Sequence, residues 1–234
     1  MIGKMRLTIS RKLFLFFVLP GLIFFSFYIT YLILNTEEIM YALHEENYAK
    51  QINGYANLAD TYLTKTANNA NFTANVIGNF DNLTENELFS LLRNNVAQSI
   101  IVFGSTIAFE PYAYNSKKKL FAPFIYRTSD GIDSTIINSN YTSSNLDWYE
   151  IPKKTKKPYW TEPYLSNVLD STKLVSYCVP IFKNKKFIGV VTIDFSLTPL
   201  DKLFRTKFKH KSTQFIVLSK SGKYVSHPNS KKKY

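Results

Sequence analysis

Trp148, Tyr149, Trp160 and Tyr164 fall within one loop-rich stretch punctuated by Pro152, Pro158 and Pro163. Aromatic faces attract a cation through the ring quadrupole, by about 0.5–2 kcal/mol each. Asp194 ends the apolar run 187–195 and offers a carboxylate to an ammonium group. A small-molecule site needs apolar walls and a few fixed polar groups. An aromatic content of 16% supplies the walls. Each residue also has a plainer reading. The aromatics could be ordinary core, and Asp194 could cap a following helix.

Catalysis finds little support. The chain has no Gly-rich phosphate loop, no serine in a G-x-S-x-G setting and no H-E-x-x-H. Asp130 and Asp133 lie in a polar stretch where solvation is the default. The single cysteine, Cys178, excludes a disulfide scaffold and reads as a small buried hydrophobe. His44, His210 and His227 are too scattered for a histidine metal site. No enzyme activity, metal or cofactor is expected.

The elements that position these residues begin with an anchor. Residues 13–34 carry no charge and would span roughly 30 Å of hydrocarbon as a helix. A cleavable leader would have an apolar core of only about 7–15 residues and a small-residue cleavage site. Here Asn35, Thr36 and Glu37 follow instead, so the segment is expected to stay as a transmembrane helix. Lys4, Arg6, Arg11 and Lys12 precede it, and Glu37 and Glu38 follow. The basic tail 1–12 is therefore expected in the cytoplasm and the bulk outside the cell (inner) membrane. Chain-wide, 29 Lys+Arg against 17 Asp+Glu give a net charge of +12. The excess lies in lysine clusters without arginine or interleaved stacking aromatics, which argues against nucleic acid.

Residues 37–78 place Ile39, Leu43, Tyr48, Ile52, Tyr55, Leu58, Tyr62 and Leu63 on one helical stripe. Such a helix could continue the anchor and pair in a parallel homodimer. Thr84 and Glu87 form a capping box that opens a helix over 85–97, with Leu88, Leu91 and Leu92 inward. Strands are predicted over 100–109 and 120–126, then a long polar surface loop over 127–147. A hairpin follows over 173–182 and 187–195, turning at 183–185. A short helix over 198–206 and a second hairpin, 214–219 with 223–226, close the chain. Helices first and an antiparallel meander after them predict an α+β fold.

In this order, Ile107-Ala-Phe-Glu-Pro-Tyr-Ala-Tyr, Phe121-Ala-Pro-Phe-Ile-Tyr-Arg, Asp147-Trp-Tyr-Glu-Ile-Pro, Lys157-Pro-Tyr-Trp-Thr-Glu-Pro-Tyr and Gly189-Val-Val-Thr-Ile-Asp-Phe-Ser-Leu resemble the double Cache family of extracellular sensor domains. Gly222-Lys-Tyr-Val-Ser-His-Pro resembles the opening hairpin of that family's second lobe. The resemblance implies a PAS-like antiparallel sheet and a membrane-distal lobe over 35–212 that binds a small ligand. It also implies that 213–234 begins a membrane-proximal lobe. Family outputs include chemotaxis helices, histidine kinases of two-component systems, cyclases and serine phosphatases, none of them within this sequence. In amine- and amino-acid-binding relatives the positions matching Tyr141, Trp148, Tyr149, Tyr164 and Asp194 hold the ligand. Tyr126 and Trp160 complete the candidate set. Leu146 stands where the amino-acid version has a carboxylate-clamping arginine, which favours an amine. Arg127 is an unplaced substitute for that clamp. The competing expectation is a membrane-anchored structural or adhesion domain without a small ligand.

Overall fold

The computed structural model describes residues 8–143, 145–166, 172–199, 202 and 216–226. The chain divides into two units, residues 1–61 and 62–234. The first unit is helical. A short helix α1 (Ile9–Leu13) and one π-helical turn (Phe14–Val18) lead into α2, which runs from Leu19 to Asn79. Pro20 lies inside the unbroken helical stretch Ile9–Asn79, directly after the π-helical turn, and its missing N–H takes one bond from the helical ladder there. The helical stretch Ile9–Asn79 contains a window with mean hydropathy 2.2, none of it buried, long and apolar enough to cross a membrane. It is the one such helix among the described residues.

The second unit is a sheet with the end of α2 and the helix α3 (Glu85–Ala97) on one face and the short helix α4 (Asp147–Thr155) on the other. Residues 62–79 of α2 bury Thr66, Ala67, Ala70, Thr73, Ala74 and Ile77, a stripe at helical spacing. Helix α3 (Glu85–Ala97) starts at the expected capping box. Thr84 Oγ1 accepts from Glu87 N at 3.3 Å, and Glu87 Oε2 accepts from Thr84 N at 2.7 Å. Leu88 and Leu92 are buried beneath it, and Leu91 is half-buried.

Strands β1 (Val102–Phe109), β2 (Pro123–Arg127), β3 (Ile132–Ile136), β4 (Tyr159–Trp160), β5 (Tyr164–Leu165), β6 (Lys173–Lys183) and β7 (Lys186–Ser196) form one antiparallel sheet. Its order is β3-β2-β1-β7-β6-β4, with β5 also paired to β6. Asn184 and Lys185 join β6 to β7, both with left-handed backbone, at φ 49° and 65°. That two-residue turn matches the twist of the strands it connects.

Period-two alternation sends the two faces to different surroundings. Val191, Ile193 and Phe195 of β7 join Ile107, Phe109, Ile125, Leu92, Val96 and Ile77 in the core under the helices. Val190, Ala108 and Cys178 face the other way, with Tyr141 and Tyr149. The helix-side core also holds a polar belt. Asn95 Nδ2 donates to Thr73 Oγ1 at 3.1 Å and to Ser105 Oγ at 3.2 Å. Ser105 Oγ donates to the Thr192 carbonyl at 2.7 Å. Thr73, Asn95 and Ser105 are all buried. α2, α3, β1 and β7 are thereby tied through a single amide.

The structure corrects several expectations. Residues 127–147 are not one loop, because Ile132–Ile136 pairs with β2 as an edge strand. An edge strand is little covered, and here Asp133 and Ser134, which point to opposite faces, are both exposed, so the segment reads as loop. The stretch after Trp148 is partly helical: α4 spans Asp147–Thr155 with Pro152 inside and a left-handed Lys156 at its end. Arg127 is no clamp. Its Nη2 donates to the carbonyls of Val96, at 2.8 Å, and Ser99, at 3.2 Å, just past the end of α3. The helix expected over 198–206 lies mostly outside the described residues. The closing hairpin forms from β8 (Val217–Leu218) and β9 (Tyr224–Ser226) as a separate sheet. Ser221 Oγ donates to Glu162 Oε2 of the main sheet's connections at 2.8 Å.

Candidate functional site

On the sheet face away from α2 and α3, a cavity of about 90 Å³ opens. Thr106 of β1, Phe124 of β2, Leu174 of β6 and Thr192 and Asp194 of β7 line it from the sheet. Ile137, Leu146, Trp148, Tyr164, Leu165 and Ser166 line it from the connections and β5. The volume is small beside the roughly 300–1,000 Å³ of drug-sized sites. Gly104 sits opposite Asp194 in the register. A Cβ there would lie 2.5 Å from the Phe124 ring. The missing side chain leaves room for that ring, which lines the same cavity as Asp194.

Asp194 is 6% exposed. Ser176 Oγ donates to its Oδ1 at 2.6 Å. Tyr164 Oη lies 2.7 Å from the same serine oxygen. The serine has one proton, which goes to the carboxylate, so the tyrosine must be the donor to the serine. No lysine, arginine or histidine pairs with Asp194 among the described residues. Burial pushes its carboxyl up from 3.8 to about 6, against the lowering effect of the Ser176 and Thr192 hydroxyls. Burial, with the nearby Asp194 charge, also holds the Tyr164 phenol well above its ordinary range. Among the described residues the cavity therefore presents one acid, several hydroxyls and aromatic walls, and no basic side chain.

Of the sequence-predicted residues, the cavity brings together Trp148, Tyr164 and Asp194. Tyr141 and Tyr149 are fully buried behind Trp148, with ring centroids 6.1 and 5.7 Å from it. Tyr141 Oη donates to the Phe109 carbonyl at 2.7 Å, and burial raises its pKa to about 12. Tyr149 Oη donates to Glu110, which also receives Lys153 Nζ at 2.7 Å. Tyr126 stacks on Phe124 at 5.3 Å, one step outside the lining. Trp160 is not part of this arrangement. It pairs with Tyr177 in the register and packs on Tyr177 and Phe195, at 4.8 and 5.4 Å, on the helix side of the sheet. Thr106, Phe124, Ile137 and Thr192 were not singled out by sequence. Thr192 was findable, because it precedes Asp194 by two residues in a strand and so shares its face. Leu146, the residue in place of an arginine, does line the cavity.

Residues 88–202 match the family model described as methyl-accepting chemotaxis protein-like, first PDC sensor domain. Among solved structures, the extracellular domain of the candidate histidine kinase mmHK1S-Z3 is similar at 27% identity and TM-score 0.67, over 76% of this chain and 68% of that one. The corresponding domain of mmHK1S-Z2 is similar at 26% identity and TM-score 0.64, over 76% and 70%. The ligand-binding domain of the Campylobacter jejuni chemoreceptor Tlp3 in complex with L-valine shares the fold, at 17% identity and TM-score 0.54, over 73% and 65%. Comparison with curated proteins finds no match.

Proposed function

With a PDC (Cache-like, PAS-like) sensor domain of the chemoreceptor and histidine-kinase type in residues 88–202 as the premise, we propose that the chain is the sensing part of a transmembrane receptor. Its small-molecule ligand carries an amine. The observation behind this reading is Asp194, a buried carboxylate in the lining of an aromatic-walled cavity, with no cationic partner among the described residues. A protonated amine would supply the missing charge and the Trp148 face would receive it. An amino acid is the second reading, on the likeness to the valine-bound Tlp3 domain. Against it, Leu146 and the rest of the lining offer no cation to a ligand carboxylate among the described residues. A carboxylate buried there would lose hydration without gaining a charged partner.

Calorimetry on the full chain in detergent micelles tests the choice with L-valine and its decarboxylated counterpart, isobutylamine. Isobutylamine is expected to bind more tightly. The reverse order would favour the amino-acid reading, and silence from both would remove amines and amino acids of this size together.

The receptor reading places residues 1–12 in the cytoplasm, 13–34 in the membrane and the sensor lobe, 35–212, outside, with 213–234 opening a second lobe. Histidine-kinase, chemotaxis, cyclase or serine-phosphatase output would belong to a longer protein. Protease added to intact spheroplasts is expected to digest the region beyond Asn35, whereas protection would place the sensor inside. Ile39, Leu43, Tyr48 and Ile52 are exposed on α2 and support a homodimer through that helix.

A further inference from the structure

Ser176 belongs to none of the sequence motifs that pointed to the cavity and does not line it, yet it hydrogen-bonds the carboxylate that does. It is fully buried. Its own backbone is held on both sides by Thr161. Ser176 N donates to Thr161 Oγ1 at 2.9 Å, and Thr161 N donates to the Ser176 carbonyl at 2.9 Å. Its hydroxyl stands between Tyr164 Oη, at 2.7 Å, and Asp194 Oδ1, at 2.6 Å. Because the one serine proton is given to Asp194, the chain of donors runs in one direction, from Tyr164 to Ser176 to the carboxylate. Each donor polarises the next.

We propose that Ser176 is the positioning residue of the cavity: locked by Thr161 and fed by Tyr164, it fixes Asp194 in place and favours the charged carboxylate that receives a ligand cation. The ligand part of that statement rests on the amine reading above. The positioning part does not, and can be measured with no ligand present.

Among the described residues, the titratable and hydrogen-bonding groups facing Asp194 are few. On its own strand β7 there is the Thr192 hydroxyl, on β6 Ser176 and the buried Cys178, on β5 Tyr164, and on β1 Gly104, which has no side chain. Within the pH range where a carboxyl titrates, Tyr164 and Cys178 both stay neutral, since burial pushes each well up. Removing a hydrogen bond to the charged form should therefore raise the midpoint of Asp194 alone.

The experiment is a pH titration by NMR of the full chain in detergent micelles, labelled with ¹³C at aspartate carboxyls. Asp194→Asn identifies the resonance by deleting it. Ser176→Ala is expected to move the midpoint up by about one pH unit from its value in the unaltered chain. Tyr164→Phe, which keeps the serine but removes its donor, is expected to move it the same way by less. An unchanged midpoint in Ser176→Ala overturns the proposal. If Ser176→Ala does not fold, Tyr164→Phe decides alone, and no upward shift in it is equally fatal. A shift together with failure of isobutylamine to bind would leave Ser176 in its role and reject only the ligand reading.

Discussion

At neutral pH, Asp194→Asn is expected to melt several degrees higher than the unaltered chain while binding isobutylamine about 10–100-fold more weakly. The binding loss follows from a charge-assisted hydrogen bond, roughly 1.5–3 kcal/mol. The gain in stability follows from linkage. The folded-state pKa of Asp194 is raised, from 3.8 to about 6, because burial disfavours its charge. Below about pH 4 both folded and unfolded chains hold the proton, and the group has no effect. Between about pH 4 and 6 the unfolded chain has released the proton and the folded chain has not, so stability falls as pH rises. Above about pH 6 the loss is complete, at up to about 3 kcal/mol. Asparagine keeps an oxygen for the Ser176 hydroxyl and carries no charge to desolvate. Thermal melts from pH 4 to 8 provide the check, with the advantage of the variant shrinking toward pH 4. A variant that melts lower at pH 7 would mean that Asp194 is a structural group. The predicted combination, more stable and less able to bind, is the mark of a residue kept for function at a cost to the fold.

The largest loss of stability is expected from Leu92→Ala. Leu92 is fully buried on α3, in the cluster that includes Ile107, Ile125 and Ile77. Removing three carbons from such a site forfeits transfer free energy and leaves a cavity, together about 2–5 kcal/mol. For a unit of this size that corresponds to a fall in Tm of roughly 2–4 °C per kcal/mol. Leu91→Ala, one residue away on a half-buried face, is expected to cost clearly less. Denaturant melts of the two variants compare them directly, and equal losses would contradict the assignment of the inward face of α3.

The parts of the fold that could be read beforehand are those set by local chemistry. The capping box at Thr84 and Glu87, the apolar N-terminal helix and the β6–β7 hairpin each announce themselves within a few residues. The parts that could not be read depend on partners far along the chain. β3 is polar because it lies at the sheet edge with Asp133 and Ser134 both exposed, and only its pairing with β2 makes it a strand. Trp160 lies two residues past a proline in an aromatic run, and nothing local gives its parity. Its pairing with Tyr177 turns it toward the helices, while its neighbour Tyr159, paired with Cys178, turns toward the other face. Arg127 looked available as an anion clamp because carbonyls at the end of a distant helix leave no trace in the sequence. Asp194 was legible as a candidate from its type and its place in a strand. The lack of a cation beside it among the described residues was not, since that depends on every element packed around it.

The amide of Asn95 gives α2 a fixed address on the sheet. Ala70, Ala74 and Ile77 are smooth contacts that would permit gradual slippage along the helix axis. Asn95 would not. One residue of axial travel is 1.5 Å, enough to take Thr73 out of the 3.1 Å reach of the amide and leave buried polar groups unsatisfied. A displacement of β7 carries the Thr192 carbonyl, and with it Ser105 and the same amide. The helix end of the sensor lobe is thereby indexed like a ratchet tooth. A shift too small to free the amide leaves residues 66–77 of α2 seated on the sheet, and a larger one must break the belt as a whole.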